Sequence, residues 1–173
     1  MRGAQQIDGL IAAVVQVAGG RIVGRVRLQK VFYLLERLGL NGGIDFEYHH
    51  YGPYSATLAE ALEDAKAFHL VEEDIERRVY DGVPYSVYKK INDLQLSDRV
   101  GGLELEDVRR ALGRMQEESD ATVLELAATI DWLQTKEQVL DWEKELRIRK
   151  AGKATVQRIE RARALLADLN LAS

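Results

Sequence analysis

The sequence predicts a mainly helical α+β fold, with a winged-helix-like N-terminal unit that contains a small antiparallel sheet, followed by a helical C-terminal layer. Apolar residues recur every three or four positions along most of the chain, which is the period of amphipathic helices. A short aromatic segment and a later Asp-Gly pair mark the places where strands are expected. The resulting order of helix, helix, strand, helix and hairpin is that of a winged helix-turn-helix, although other small α+β domains share it.

Residues 1–95 make up the predicted winged-helix-like part. Helical periodicity predicts three helices there, over residues 4–18, 25–38 and 55–68. Gly39 is placed to end the second helix and Ser55 to cap the third. Extended segments are expected at 46–51, 71–80 and 84–91. Because Asp81-Gly82 separates the last two, they are expected to form a hairpin with a tight two-residue turn.

Residues 96–173 form the predicted helical C-terminal part. Helices are expected over residues 104–117, 121–134, 136–150 and 154–169. Thr135 with Gln138 has the spacing of a capping box, which would begin the third of these helices. No repeat, low-complexity run or long linker separates the two parts, so residues 1–173 are expected to be a single compact domain.

Composition restricts the classes of function. The 173 residues include no cysteine, which excludes disulfides, thiol catalysis and cysteine-based metal centres. The formal net charge is −4, so the whole chain has no general attraction for nucleic acid or anionic lipid. The one N-terminal apolar run, residues 10–17, is much shorter than the roughly 20 residues that a membrane-spanning helix needs. A cytoplasmic protein with no membrane contact is predicted.

No arrangement of residues indicates catalysis. The chain has three histidines, and His49 and His50 are adjacent, so on a strand they would face opposite sides and not share a metal. None of the common nucleotide-binding, hydrolase or zinc-protease motifs occurs. We therefore predict a protein that is not an enzyme, without metal or cofactor.

The charge distribution argues against binding of DNA through the third helix. Residues 41–76 contain nine acidic residues and one lysine, and a duplex would repel that segment. Basic residues gather instead near the C-terminus, where they form the alternative nucleic-acid-binding set: Arg147, Arg149, Lys150, Lys153, Arg158 and Arg161. A chain with separate acidic and basic blocks can also pair with itself, so a homodimer is possible.

A second set of residues is predicted to bind a partner protein. Basic side chains at the start of the second helix form a predicted edge, and aromatic side chains surround Gly52-Pro53. Tyrosine offers a large contact area at little entropic cost, so exposed tyrosines often anchor protein partners. The predicted partner-binding residues are Arg25, Arg27, Lys30, Tyr48, His49, Tyr51 and Tyr54.

Three segments resemble a known family. LQKVFYLL at residues 28–35, followed by YGPYS at residues 51–55, is similar to the YwgA-like family of small prokaryotic proteins, related to the SocA-like antitoxin (Panacea) domain. LELAATIDWL at residues 124–133 also resembles that family. The resemblance implies a mostly helical domain with a small winged-helix-like sheet. It also implies an antitoxin-like role, in which the protein binds a partner toxin, and it carries over no catalytic residue.

Taken together, these observations predict a non-enzymatic protein-interaction module, antitoxin-like or an adaptor, that binds a partner protein. A nucleic-acid-binding winged-helix transcriptional regulator is the first alternative, because basic residues gather in the C-terminal helices. A subunit of an enzyme is the second, because Tyr, His and carboxylate side chains lie close together in the sequence.

Overall fold

Helices and small antiparallel sheets build the protein. The computed structural model describes the backbone of residues 2–172 and the side chains of residues 7–172. Of the chain, 52% is helical and 16% is in strands. In chain order the elements are α1 (Arg2–Val17), β1 (Arg21–Val23), α2 (Arg25–Leu38), β2 (Glu47–His49), β3 (Gly52–Tyr54), α3 (Ala56–Ala67), β4 (Val71–Arg77), β5 (Pro84–Lys90), β6 (Arg99–Val100), β7 (Leu103–Glu104), α4 (Leu105–Glu117), α5 (Ala121–Thr135), α6 (Trp142–Arg149) and α7 (Val156–Asp168).

The largest sheet has three antiparallel strands in the order β1-β5-β4. Sequence analysis expected the β4–β5 hairpin but not β1, which has only three residues. A strand this short cannot show an alternating pattern, and its place depends on pairing with β5 far along the chain. Ile22 lies opposite Tyr88 in that pairing, and both side chains are buried.

The hairpin loop differs from the predicted two-residue turn. β4 ends at Arg77, and the Arg78 N–H donates to the carbonyl of Val83 at 3.0 Å, which closes a loop of four residues between them. The Asp81 carboxylate accepts from the Val83 N–H at 3.0 Å and pairs with the guanidinium of Arg78 at 2.7 Å. These side-chain contacts stabilise a wider loop, so the prediction of a tight turn was wrong.

A second hairpin replaces the predicted 46–51 strand. The chain reverses after His49, and β2 pairs with β3 so that Tyr48 lies opposite Pro53 and His49 opposite Gly52. His50 and Tyr51 form the two-residue connection. Gly52 has φ +89°, a conformation that a residue with a Cβ rarely adopts, which explains why glycine follows the reversal.

Helix α5 lies at the centre of the helical layer. It contacts α2, α6, α7 and β3, and every side chain from Val123 to Asp131 is buried. A helix that is apolar over most of its surface must be surrounded by other elements, and α5 fits this rule, with its buried carboxylates Glu125 and Asp131 bonded to partners in the interior. In the part of the chain that the structure describes, no helix is long and apolar enough to cross a membrane.

Helix α6 begins later than predicted. Thr135 is the last residue of α5, where its hydroxyl donates to the Asp131 carbonyl at 2.7 Å. The Asp141 carboxylate instead accepts from the Lys144 N–H at 3.2 Å and caps α6. The predicted capping box at Thr135 was therefore wrong, because the tertiary structure continues α5 to that residue.

Candidate functional site

The β2–β3 hairpin carries the cluster of aromatic residues that sequence analysis selected. We call residues Tyr48–Tyr54 the aromatic turn. Tyr51 at its tip is 50% exposed, and His49 and His50 are exposed beside it. The His49 and Tyr54 rings lie 4.9 Å apart between centroids. The Lys153 Nζ lies 4.6 Å from the centre of the Tyr51 ring, a cation–π distance.

Buried side chains hold the backbone of the aromatic turn from beneath. Lys30 Nζ donates to the Pro53 carbonyl at 2.5 Å, and Lys150 Nζ donates to the His50 carbonyl at 2.9 Å. At the end of the turn, Gln29 donates to the carbonyl of Ser55 at 3.0 Å and accepts from its N–H at 2.8 Å. Four backbone groups from His50 to Ser55 are thus bonded to side chains of α2 and of the segment that follows α6.

One buried carboxylate, that of Glu125, compensates the charges of Lys150 and Lys153. Glu125 on α5 pairs with Lys150 at 2.8 Å, and both side chains are 3% exposed. Lys153 approaches the same carboxylate at 3.3 Å from the solvent side. A charge so deeply buried is tolerated when it is paired and hydrogen-bonded, and both conditions hold here. The charge cluster therefore connects α5, the segment after α6 and the aromatic turn.

Among the residues whose side chains the structure describes, no carboxylate forms an ion pair with Lys30. Lys30 is 1% exposed, and burial lowers its pKa from the usual 10.5 to about 8. The negative charge of Glu125 raises the pKa, while the positive charges of Lys150 and Lys153 lower it further. A lysine with this pKa is easily converted to the neutral amine, which still donates to the Pro53 carbonyl.

Tyr48 is held between helices rather than exposed. The Arg149 guanidinium lies 4.7 Å from the centre of its ring, and the Trp132 ring lies 6.2 Å from it between centroids. Glu137 and Glu145 each bind Arg149 at 2.7 Å and keep the guanidinium over the ring. Burial raises the pKa of the Tyr48 hydroxyl. Tyr48 thus anchors the turn, whereas Tyr51 presents its ring to solvent.

The predicted basic edge at the start of α2 is only partly on the surface. Arg25 is exposed and lies 3.6 Å from the Glu73 carboxylate. Arg27 is buried and donates to the carbonyls of Met115 at 3.1 Å and Glu118 at 2.6 Å. Lys30 is buried beneath the aromatic turn. The expectation that Arg27 and Lys30 contact a partner directly is corrected, because both side chains point into the fold to bind backbone carbonyls.

The predicted nucleic-acid-binding residues are all paired with carboxylates. The partners are Glu143 for Arg147, Glu137 and Glu145 for Arg149, Glu125 for Lys150 and Lys153, Asp120 for Arg158, and Glu118 for Arg161. Most of these carboxylates lie outside the basic segment in sequence. Counting charges along that segment alone overestimated the positive potential, because folding brings the acidic residues to it.

Sequence analysis missed the buried hydrogen-bonded group formed by Asp131, Tyr33 and Arg37. The Tyr33 hydroxyl donates to Asp131 Oδ2 at 2.6 Å, and Arg37 Nε donates to the same oxygen at 2.8 Å. Burial and the charge of Asp131 raise the pKa of Tyr33 above its usual range. One signal was available in the sequence, since each of the two carboxylates inside the apolar segment 123–133, Glu125 and Asp131, requires partners in the interior.

Comparison with known proteins assigns no chemistry to this site. Among the described residues, no group of three or more His, Asp and Glu side chains is placed to hold a metal ion. No protein-family model matches the chain, and the search of the curated proteins found no match.

Proposed function

We propose that this protein is a non-enzymatic interaction module, antitoxin-like or an adaptor, and that its partner protein docks on the aromatic turn. One observation carries the proposal: a half-exposed tyrosine, Tyr51, stands on a turn whose backbone is bonded to buried side chains. The His50 ring lies 5.2 Å from the Tyr51 ring between centroids, and the Lys153 Nζ lies 4.6 Å from the centre of the Tyr51 ring.

Rigidity gives the turn its value as a binding surface. A partner that binds a mobile loop must offset the entropy lost when the loop is ordered. Lys30 and Lys150 already order this turn in the unbound protein. An aromatic side chain on an ordered turn is the type of residue that dominates the binding energy of protein interfaces.

We also propose that residues 1–95 are a winged-helix-like unit of the YwgA-like and SocA-like kind. The sheet order β1-β5-β4, with α1 before β1 and α2 and α3 before the hairpin, supports the winged-helix part of this proposal. Two of the segments that carry the resemblance, 28–35 and 51–55, contact each other through Gln29 with Ser55 and Lys30 with Pro53. These contacts give a physical reason for the two motifs to occur together.

A nucleic-acid-binding regulator is the second proposal. The β1-β5-β4 sheet favours it, since a hairpin of that kind is the wing of a winged helix. Two observations oppose it. Helix α3 exposes the acidic side chains Glu60, Glu63 and Asp64. Carboxylates also pair with the basic C-terminal residues. It predicts binding of a DNA duplex that weakens steeply with salt, and absence of binding at low salt would exclude it.

The interaction proposal is tested by quantitative affinity capture from the native host. Wild type, Tyr51→Ala and Tyr80→Ala are compared, each at the same concentration and each checked for folding by circular dichroism. Tyr80 is the matched control because it is 80% exposed at the distant β4–β5 loop. We expect one protein to be captured in near-equal amount by wild type and Tyr80→Ala and to be lost with Tyr51→Ala.

Two results would contradict the proposal. If folded Tyr51→Ala retains the same partner as wild type, the aromatic turn does not form the interface. If Tyr80→Ala abolishes capture and Tyr51→Ala does not, the interface lies at the β4–β5 loop instead.

A further inference from the structure

A cleft of about 260 Å³ lies next to the aromatic turn. We call it the aromatic–acidic cleft; its lining residues are Tyr33, Glu36, Arg37, Ile44, Asp45, Phe46, Trp132 and Lys136. The Tyr33 and Phe46 rings meet edge to face, with centroids 5.3 Å apart, and the Trp132 ring lies 6.3 Å from Tyr33 at an angle of 49°. Three aromatic rings in different planes therefore form its walls.

The carboxylates at the cleft outnumber the cations that remain to balance them. Glu36 accepts from the Gly42 N–H at 2.7 Å, and burial together with the charge of Asp45 raises the pKa of Glu36. Arg37 also lines the cleft, but its charge is compensated by Asp131 at 2.8 Å. Glu36 and Asp45 thus face a single remaining cation of the lining, the exposed Lys136.

Asp131 provides an independent observation. It is 1% exposed, and its Oδ2 accepts two hydrogen bonds, from Tyr33 and Arg37. Its Oδ1 is buried and has no hydrogen-bond partner in the part of the chain that the structure describes. A buried carboxylate oxygen without a donor is unusual and calls for an explanation. Both residues that bind Oδ2 are lining residues of the cleft, so Asp131 cancels the positive charge of Arg37 at the cleft wall.

We infer that the aromatic–acidic cleft binds a compact organic cation, the alkylammonium group of a lysine side chain, presented by the partner that covers the aromatic turn. Aromatic faces attract cations through their quadrupoles, and nearby carboxylates strengthen that attraction. Trp132 links the cleft to the turn, because it lines the cleft and its ring lies 6.2 Å from the ring of Tyr48 between centroids. The identity of the cation as part of a protein rests on the proposed function.

A carboxylate ligand would fit this cleft less well. Glu36 and Asp45 would repel it, Asp131 already compensates Arg37, and it would gain nothing from the faces of the aromatic rings. An alkylammonium group is attracted by Glu36, Asp45 and the aromatic rings, and of the uncompensated lining charges only Lys136 repels it. The stem of a lysine side chain also buries apolar surface against Ile44 and Phe46.

The test uses the isolated protein and a small probe, Nα-acetyl-lysine N-methylamide. Titration is followed by ¹H–¹⁵N NMR of the two tryptophan indole N–H groups, which Trp142→Phe assigns. We expect a saturable shift of the Trp132 signal, with an affinity on the order of millimolar for so small a probe, and no shift of the Trp142 signal. The neutral analogue Nα-acetyl-norleucine N-methylamide should leave both signals unchanged.

Charge variants make the test specific. Asp45→Asn should weaken binding of the probe by about threefold, as expected for loss of one partly exposed charge pair. Asp64→Asn is the matched control, because Asp64 is exposed on α3 outside the cleft, and it should leave the affinity unchanged.

Several outcomes would overturn the inference. The lysine probe could leave the Trp132 signal unshifted, or the norleucine analogue could shift it equally. Nα-acetyl-glutamate N-methylamide could shift the signal instead of the lysine probe, or Asp45→Asn could leave the affinity unchanged. The test needs no partner protein, so its failure is separate from that of the proposed function. Capture that depends on Tyr51, without probe binding, would support the aromatic turn and exclude the cleft.

Discussion

The buried amine of Lys30 should make the stability of this protein depend on pH in an unusual direction. Burial lowers its pKa from the usual 10.5 to about 8 in the folded protein. We propose to replace it by methionine, because Lys30→Met keeps an unbranched apolar stem of similar length and removes the group that titrates. The difference in unfolding free energy between the two proteins then isolates the contribution of this one amine.

The sign follows from the order of the two pKa values. Between pH 8 and 10.5 the folded protein has released the Lys30 proton, while the unfolded chain still holds it. The unfolded state binds more protons in this window, so the Lys30 contribution to the unfolding free energy rises with pH. Below pH 8 the contribution is constant at its lowest value, and above pH 10.5 it is constant at its highest.

The magnitude follows from the same two values. A pKa of about 8 against 10.5 corresponds to roughly 3 kcal/mol over the whole window. About 1 kcal/mol of this should be reached between pH 7 and 9. This interval lies below the usual pKa of tyrosine, so ionisation of tyrosine in the unfolded chain contributes little.

The assay is urea denaturation of wild type and Lys30→Met at pH 7, 8 and 9. The unfolding free energy of wild type minus that of Lys30→Met should increase by about 1 kcal/mol over that range, whatever its value at pH 7. Lys144→Met is the matched control, because Lys144 is exposed on α6, and its difference from wild type should stay constant. A constant or falling difference for Lys30→Met would refute the reasoning and mean that the folded protein keeps this lysine charged above pH 9.

Three further substitutions test the buried polar contacts by urea denaturation. Arg27→Ala should cost about 3 kcal/mol, because two buried carbonyls lose a charged donor, and an unchanged stability would show that water replaces it. Glu125→Gln leaves a buried ammonium without an opposite charge and should cost about 3 kcal/mol or more. Glu117→Gln, at an exposed position, should change the stability by less than about 0.5 kcal/mol. Equal effects of the two substitutions would exclude the burial argument. Gly52→Ala places a Cβ 2.7 Å from a hydroxyl oxygen on α5, whereas Gly82 has a similar positive φ with open space around it. Gly52→Ala should therefore cost about 1 to 3 kcal/mol more stability than Gly82→Ala. Similar costs would mean that the fold relieves the clash at Gly52.

Local sequence signals predicted helix ends correctly where the contacts that form the end lie within a few residues of it. Helix α2 has the predicted bounds, 25–38, and Gly39 ends it with φ +110° as expected for a C-terminal glycine. Ser55 caps α3 by accepting from the Leu58 N–H at 3.1 Å. These features depend on side chains within one or two turns of each other, so the sequence contains all the information that they need.

Three local features were missed or misread. Strand β1 exists because Ile22 pairs with Tyr88, 66 positions later, and nothing in its three residues indicates a strand. The Asp81 carboxylate binds its neighbours in a loop wider than the tight turn that Asp-Gly favours. Thr135 closes α5 rather than opening α6. Only β1 depends on a distant contact; in the other two cases one local arrangement replaced another.

The sequence by itself determined which residue types are available at the candidate site: the tyrosines around Gly52-Pro53, the basic residues of α2 and the absence of cysteine. Only the tertiary structure decided which of these charges reach solvent. Arg27, Lys30 and Lys150 are buried because backbone carbonyls and one carboxylate compensate them, and these groups lie 23 to 100 positions away in the chain. The energy of a charge depends on what surrounds it in space, and order along the chain does not reveal that environment.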